Sequence, residues 1–136
     1  MQMAVRAHHL AKPLFRDAET RHVATQLLRA ASSVAANYRA ACLGRSRREF
    51  VAKIGTVREE ADETVFWLSF MERVAIVPSG GAREAAAELQ DEARQLARIF
   101  AASYRTARKK LVERRRARRA AKRESAGGDT PSPVTA

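Results

Sequence analysis

The stretch that decides the fold of this chain is residues 26–74, QLLRAASSVAANYRAACLGRSRREFVAKIGTVREEADETVFWLSFMERV. It contains two apolar patterns of helical period, separated by a Gly-Arg-Ser joint at residues 44–46. Apolar residues that recur every three or four positions indicate one buried face of an α-helix. The stretch therefore predicts a helical hairpin, and several arginines lie close to its joint.

The first helix of this hairpin is predicted to begin after Asp17, because aspartate caps helix N-termini, and to end at Gly44, because glycine readily adopts the left-handed terminal conformation. Its core stripe contains a cysteine, Cys42, which we interpret as a small buried hydrophobe. As the only cysteine of the chain, it excludes an intramolecular disulfide and favours a reducing compartment. The larger apolar residues of the stripe are Val23, Leu27, Val34, Tyr38 and Cys42.

The second helix of the hairpin is predicted to begin at Ser46, because Glu49 follows three residues later in the spacing of a capping box. Phe66, Trp67 and Phe70 widen its apolar face near the C-terminal end. We therefore expect this helix to contact two neighbours. Its core stripe is Phe50, Ile54, Val57, Ala61, Val65, Leu68 and Met71.

Two further helical patterns flank the hairpin. Residues 3–14 predict a short first helix, because Pro13 disfavours helical geometry in the residue before it. A fourth helix is predicted from about Ser79 to Leu111 or further. Its stripe is Ala85, Leu89, Ala93, Leu96, Phe100, Ser103, Ala107 and Leu111.

The sequence therefore predicts an all-α fold, an antiparallel up-down-up-down four-helix bundle, in residues 1–112. Residues 113–136 are predicted to be a basic extension followed, from Ser125 onward, by a Gly/Ser/Pro-containing disordered tail. Aromatic residues make up only 6% of the chain, and the apolar stripes are rich in alanine. A core of such small side chains buries little area per residue, so we expect the bundle to be stabilised by oligomerisation.

The formal net charge is +11, and it is distributed unevenly. Residues 108–136 contain ten lysines and arginines against three acidic residues, a net charge of +7. An excess of this size attracts phosphate backbones or acidic protein surfaces. No run of residues approaches the ~18–20 apolar residues of a membrane span, and no secretory signal is recognisable, so we expect a cytoplasmic protein that does not associate with membranes.

The sequence predicts no enzyme. Carboxylates on a helix can begin a di-iron site, but such a site requires Glu-x-x-His motifs on two helices, and the chain lacks that arrangement. No histidine lies near Cys42, and no glycine-rich phosphate loop is present. We therefore expect no catalytic residue, no metal and no cofactor. The carboxylates concerned, expected on a solvated or ion-paired face, are Glu59, Glu60, Asp62 and Glu63.

Two groups of basic residues are candidates for contact with nucleic-acid phosphates. The alternative is that they are solubilising charges, and Arg29 and Arg39 are also candidate ion-pair partners for Glu59 or Glu63. The first group, near the joint, is Arg39, Arg45, Arg47, Arg48 and Lys53. The second group, near the C-terminus, includes Arg108, Lys109, Lys110, Arg114, Arg115, Arg116, Arg118 and Arg119.

Three blocks of residues resemble the four helix bundle protein family, which is also named for proteins encoded in intervening sequences of 23S ribosomal RNA genes. The family pattern is Q-L-x-R-(S/A)-(A/G)-x-S-(I/V)-x-A-N followed by E-A, then S-x-x-(E/D)-F-x-x-K, then E-x-x-E-(T/S)-x-x-W-L. The matching residues are Gln26, Leu27, Arg29, Ser33, Val34, Ala36 and Asn37, then Ser46, Glu49, Phe50 and Lys53, then Glu59 or Glu60, Glu63, Thr64, Trp67 and Leu68.

This resemblance implies a four-helix protomer that assembles into a homopentameric ring. Relatives include the accessory variability proteins of diversity-generating retroelements, which bind a reverse transcriptase and its template RNA through a basic surface. The chain departs from the family at Arg39, where a glutamate is usual, and in its first helix, which is normally longer.

The leading hypothesis is a non-enzymatic, oligomeric four-helix bundle that binds nucleic acid, structured RNA in particular, through its two basic groups. An accessory role for a retroelement reverse transcriptase is a specific form of this hypothesis. The alternative is a protein–protein interaction adaptor that does not itself bind nucleic acid. In that case the positive charge would steer association with an acidic partner.

Overall fold

The computed structural model describes residues 1–77 and 80–127, and all regular structure within them is helical. The first and third helices each pack against the second and the fourth, so they lie at diagonally opposite corners of a bundle. The predicted all-α four-helix bundle is confirmed. The helices are α1 (Gln2–Ala11), α2 (Ala18–Cys42), α3 (Arg47–Arg73) and α4 (Gly81–Gly127).

α1 is by far the shortest helix, with 10 residues. It buries Met3, Ala7 and Leu10 against the bundle. Pro13 stands in the first turn of a 3₁₀ segment, Lys12–Arg16, that follows α1 directly. Proline is tolerated there because the first N–H groups of a helix have no intrahelical partner. The helical geometry predicted for residues 3–14 is therefore present, but its last part is a 3₁₀ helix and not an α-helix. After Arg16 the chain turns into α2.

Both helices of the hairpin begin at the predicted caps. An Asp17 carboxylate oxygen accepts a hydrogen bond of 2.9 Å from the Glu19 N–H at the start of α2. At the start of α3 the Ser46 hydroxyl accepts one of 3.1 Å from the Glu49 N–H. The Glu49 carboxylate in turn accepts the N–H of Arg45 at 3.1 Å, one residue earlier than in the usual reciprocal capping box.

Gly44 has a different role from the predicted one. α2 ends at Cys42, and among the described glycines only Gly80 has a positive φ, of 81°. A Cβ atom on Gly44 would lie 3.1 Å from the carbonyl oxygen of Ala41. Gly44 is therefore required for the close approach of the joint to the end of α2, and the prediction of a left-handed helix stop is wrong.

The core runs through the hairpin and along α4. Its largest fully buried side chains are Leu27, Ile54, Met71, Leu89, Val57 and Thr64. α3 and α4 approach closely at Gly55, where a Cβ atom would lie 3.2 Å from the Tyr104 ring. The guanidinium of Arg58 stands over the same ring, 5.1 Å from its centroid. The predicted stripes therefore form the core, with the exceptions that follow.

Tyr38 and Cys42 continue the core stripe of α2 in sequence, but the structure leaves both exposed. Their side of α2 faces the seam with α4 at a level that the short α1 does not reach. The last buried residue of α2 is Ala41, which lies on the side of α3. The interpretation of Cys42 as a buried hydrophobe is therefore wrong, and the reason is the length of α1.

Three other residues predicted to lie at helix contacts are also exposed. Ala85 is exposed because α4 turns Ala82 and Ala86 toward the core instead. Phe66 and Phe70 lie on the outer face of α3 and are 57% and 36% exposed. α3 does contact two neighbours, α2 and α4, as predicted, but of the three aromatic residues only Trp67 packs against the core.

α4 begins at Gly81 and continues without interruption to Gly127, well beyond Leu111. It therefore includes the first three residues, 125–127, of the segment that is predicted to be disordered. Residues 128–136, which make up the rest of that segment, lie outside the described residues, as does the predicted helix start at Ser79. The basic residues after position 112 thus belong to the same helix as the bundle residues before it.

Candidate nucleic-acid interface

The joint between α2 and α3, here called the elbow, presents three arginines at one end of the bundle. Arg45 lies in the joint, and Arg47 and Arg48 are the first two residues of α3. All three side chains are exposed. Because Ser46 caps α3 and Glu49 holds the Arg45 N–H, the backbone that carries these charges is fixed by hydrogen bonds.

α4 brings the second basic group to the same end of the bundle. Arg47 on α3 and Lys110 on α4 line one groove of about 550 Å³, although they are 63 positions apart in the sequence. Phe50, Val51 and Ala107 line it between them. We call this the elbow groove. The structure thus brings together the two basic groups that the sequence separates.

Beyond the elbow groove α4 continues as a basic extension, defined here as residues 112–127. Leu111 is the last residue of α4 that is partly buried, and every side chain from position 112 to 125 is exposed. At ~1.5 Å per residue, a helical segment of this length projects roughly 24 Å from the bundle. Within residues 112–125, no side chain belongs to the hydrophobic core or packs against it.

The arginines of the basic extension lie on more than one side of the helix. Arg114, Arg115 and Arg118 follow Leu111 by three, four and seven residues, so they continue the face that packs in the bundle. The other arginines point in other directions around the helix. A phosphate backbone could therefore meet positive charge on several sides of α4. These other arginines are Arg116, Arg119 and Arg123.

The positive charge at this end of the bundle is not neutralised locally. Within residues 1–77 and 80–127, none of the thirteen candidate basic residues takes part in an ion pair. Ion pairs form elsewhere, for example from Arg6 to Glu88 and Glu92 at 3.0 and 2.8 Å. An uncompensated cluster of this kind raises the local positive potential and attracts anions.

Two of the candidate residues are placed differently from the others. The Lys53 ammonium is half-buried and donates to the Asn37 side-chain oxygen at 3.4 Å, so it is directed toward α2. Arg39 is exposed on the side wall of α2, next to Tyr38, about four residues before the elbow. Arg39 and Lys53 therefore lie outside the elbow groove, and only the remaining candidates form one basic surface.

Arg105 is a basic residue of this surface that the sequence reasoning missed. It lies with Arg108, Lys109 and Arg116 on one side of α4, where Glu113 is the only acidic neighbour among the lining residues. The spacing of Arg105 from the other three, at three, four and eleven residues, places them on one helical face. This periodicity was available in the sequence, and it extends the basic surface one turn toward the bundle.

A sequence model of the 23S rRNA-intervening sequence protein family matches residues 1–102. The chain belongs to this family. The match confirms the family resemblance of the three residue blocks, and it ends before the first residue of the C-terminal basic group. The fold of this family member is therefore shared, whereas its basic extension lies outside the matched region. A comparison with curated proteins found no match.

A solved relative has the same architecture. The crystal structure of a protein of unknown function from the S23 ribosomal protein family of Bacteroides thetaiotaomicron superposes with a TM-score of 0.67 at 26% sequence identity. The alignment covers 76% of this chain and 92% of that chain. The similarity thus extends over almost the whole of the relative and over the bundle part of this family member.

Residues that carry the family resemblance bond to one another along the contact between α2 and α3, here called the α2–α3 seam. Asn37 donates to the Ser33 hydroxyl at 3.1 Å and accepts from Lys53. One Glu63 carboxylate oxygen accepts from Arg29 at 2.7 Å and from the Trp67 indole N–H at 3.2 Å. The Arg29–Glu63 ion pair confirms one of the predicted pairings. In this chain these residues are thus engaged with one another along the hairpin contact.

The other carboxylates of α3 do not form a binding site of their own. Glu59 pairs with its neighbour Arg58 at 3.1 Å, and one Glu60 oxygen is buried without a hydrogen-bond partner. No group of three or more histidine, cysteine, aspartate or glutamate residues is arranged to hold a metal ion within the described ranges. None of the helices described there has the length and apolarity to cross a membrane.

Cys42 and Tyr38 form a small polar pair on the exposed side of α2. Interaction with the Cys42 thiol, chiefly hydrogen bonding, raises the pKa of the Tyr38 hydroxyl. The Tyr38 ring also packs against Phe100, with the ring centroids 5.5 Å apart. A tyrosine hydroxyl is neutral at physiological pH even with its ordinary pKa of about 10, so Tyr38 presents an uncharged surface there.

Proposed function

We propose that this family member is a non-enzymatic, oligomeric protein of the cytoplasm that binds nucleic acid, structured RNA in particular. The contacts are made to phosphates by the elbow arginines and by the basic residues of α4. The proposal includes no cofactor and no catalytic residue. The oligomer is a homopentamer by the family resemblance.

The observation that carries the proposal is the convergence of two basic groups on one end of the bundle without acidic partners. Arg47 and Lys110 share a groove, and the other members extend from it along α4. Each phosphate contacted by such a side chain releases condensed counterions, which is the main source of affinity for nucleic acids. The convergence supplies several such contacts on one rigid scaffold.

Structured RNA is favoured over single strands by the position of the aromatic residues. Binding of single strands commonly uses exposed aromatic rings on which bases stack. Near the basic surface the aromatic side chains are Phe50 and Tyr104, both partly buried, and the Tyr104 ring is covered by Arg58. The exposed rings of Phe66 and Phe70 lie toward the other end of α3. The basic surface is therefore suited to phosphates in a fixed arrangement.

A salt titration of RNA binding tests the proposal. Replacing Arg45, Arg47 and Arg48 together with alanine should weaken binding of a hairpin RNA about tenfold and reduce the slope of log affinity against log salt by about two to three. All RNA sequences should be affected alike, because phosphates carry no sequence information. The measurement is filter binding between low and physiological salt.

The matched control removes the same number of arginines from the opposite end of the bundle. Arg16, Arg73 and Arg83 are all exposed there, and their replacement with alanine should leave the affinity within a factor of about two to three. An equal loss in both variants would mean that only net charge matters. Absence of binding at low salt, or a flat salt slope for the unchanged protein, would refute the proposal.

The accessory role for a retroelement reverse transcriptase is a narrower form of the same proposal. Its support is the family resemblance together with the basic surface. A reverse transcriptase gene and a variable repeat beside the gene for this chain would support it, as would co-purification of the two proteins with template RNA. A gene located inside a ribosomal RNA insertion, with no reverse transcriptase nearby, would count against it.

A protein–protein adaptor is the second candidate function, and exposed apolar side chains favour it. Phe66 is 57% exposed and Phe70 is 36% exposed, and their rings stack on the outer face of α3. Large apolar residues that cluster on a surface commonly mark protein contacts. An adaptor would bind an acidic protein partner in a salt-dependent manner and would not bind RNA, so the titration above separates the two functions.

A further inference from the structure

The outer face of α3 carries an aromatic ridge, defined as Phe66 and Phe70. The two rings stack with their centroids 6.4 Å apart and an angle of 26° between their planes. Trp67 supports them from the side, 5.1 Å from Phe66 and 5.8 Å from Phe70. The ridge therefore has a defined shape, and no other helix of the described chain covers it.

A groove of complementary character lies between α2 and α4. It encloses about 510 Å³ and is mainly apolar, and it exists because α1 occupies only part of this seam. Tyr38 and Ile99 at its edge are 48% and 56% exposed. We call it the α2–α4 groove. Its apolar lining includes Met1, Met3, Val34, Tyr38, Leu96 and Ile99.

The unpaired charges beside the two surfaces are opposite, and the one carboxylate that lines the groove, Glu92, is paired with Arg6. Glu59 and Asp62 precede the ridge by about two turns and one turn, respectively, on the exposed side of α3. Arg39 follows Tyr38 at the edge of the α2–α4 groove and is exposed. Within the described residues Arg39 and Asp62 take part in no ion pair, and Glu59 pairs only with the adjacent Arg58. Complementary charges of this kind orient two surfaces as they approach.

The two surfaces cannot meet within one molecule. The ridge faces outward from α3, and the groove lies at the corner of α1, which is diagonally opposite α3 in the bundle. A contact between two different surfaces of identical chains is heterologous, and repeating it produces a ring or a filament. The geometry therefore suits association of one chain with the next.

We propose that the aromatic ridge of one copy inserts into the α2–α4 groove of a second copy, with Glu59 and Asp62 of the first facing Arg39 of the second. This inference rests on the oligomeric part of the proposed function and is independent of RNA binding. The contact completes the side of the bundle that the short α1 leaves uncovered, and it buries the largest exposed aromatic side chains of the described chain.

Two double variants, each disabling one surface, test the proposal. Phe66→Glu with Phe70→Glu removes the ridge, and Tyr38→Glu with Ile99→Glu blocks the groove. Each should weaken self-association by about 100-fold or more, because two large apolar contacts are lost. Sedimentation velocity should then show monomers for each variant alone. An equimolar mixture should form 1:1 dimers and nothing larger, because one intact ridge and one intact groove remain.

The control variant is Val112→Glu, which changes an exposed apolar residue of α4 outside both surfaces and should leave the oligomer intact. Dimer formation in the mixture also shows that both variants are folded. A monomeric unchanged protein would overturn this inference and the oligomeric part of the proposed function, while RNA binding keeps its own test. Two other results would overturn only the ridge-and-groove contact. One is that a double variant remains oligomeric. The other is that both double variants are monomers with native circular dichroism but form no dimer when mixed.

Discussion

The α2–α3 hairpin and the basic extension of α4 are both helical, but they are held in opposite ways. In the hairpin the helices bury Leu27, Ile54 and Val57 completely, and polar side chains bond to one another along the seam. In the extension no side chain from position 112 to 125 is buried. The hairpin is therefore determined by contacts within the chain, whereas the extension has its side chains free for contacts outside it.

This difference indicates where function resides in the molecule. The residues that identify the family lie mainly in the hairpin, and several of them are engaged with one another, as Glu63 is with Arg29 and Trp67. Side chains already satisfied inside the fold have little left with which to bind a partner. The residues of the basic surface lie either at the elbow or in the part of α4 that follows the matched residues. Family membership thus accounts for the fold, whereas most of the proposed binding surface lies outside the match.

The largest effect is expected from opening a cavity in the hairpin. Leu27→Ala should lower the free energy of unfolding by about 3 kcal/mol, because Leu27 is fully buried and a cavity would remain. Val112→Ala on the extension should change it by less than about 0.5 kcal/mol. Urea denaturation followed by circular dichroism measures both. Similar losses for the two variants would show that the extension is packed as tightly as the hairpin.

Removing charge from the extension should weaken RNA binding strongly and change the stability of the bundle very little. Replacing five of its six arginines, those at positions 114–116, 118 and 119, with glutamine should weaken RNA binding roughly 100-fold, about 2.7 kcal/mol, and flatten the salt slope by about three to four. The stability of the bundle should stay within about 0.5 kcal/mol, since these side chains are exposed and glutamine is a good helix former.

The matched control replaces five exposed basic residues at the other end of the bundle with glutamine and should leave RNA binding nearly unchanged. An unaltered affinity after the replacements in the extension would place the RNA contacts elsewhere. A large loss of stability would instead show that the extension packs against another part of the molecule. The control positions are Lys12, Arg16, Arg21, Arg73 and Arg83.

The fold was predictable from sequence wherever a residue's environment depends on its own helix. The caps at Asp17 and Ser46 and the stripes of the hairpin are local patterns, and they are confirmed. The errors occur where burial depends on another element. Tyr38 and Cys42 have the period of core residues, but the length of α1 decides whether anything covers them. A one-dimensional period cannot show how far a neighbouring helix reaches.

The candidate site was predictable in composition but not in arrangement. Both basic groups were visible as clusters in the sequence, whereas the proximity of Arg47 and Lys110 depends on the antiparallel packing of α3 against α4. Lys53 belongs to the same sequence cluster, yet it bonds to Asn37 across the seam. Arg105 is separated from the cluster in the sequence and joined to it by the turn of the helix. Tertiary contacts therefore decide which of these residues lie on the basic surface, and the charge pattern of the sequence does not show this.

The smallest effect should come from the ion pair on the α2–α3 seam. Arg29 and Glu63 are 2.7 Å apart, but their side chains are 57% and 32% exposed. A double-mutant cycle with Arg29→Met and Glu63→Gln should give a coupling energy of about 0.2–1 kcal/mol that decreases as salt rises, because solvent and ions screen exposed pairs. Glutamine keeps an acceptor for the Trp67 indole N–H, so the cycle isolates the ionic contact. A coupling several times larger, and insensitive to salt, would mean that the hairpin is held by its charges, whereas a small coupling assigns its stability to the buried apolar contacts around Leu27.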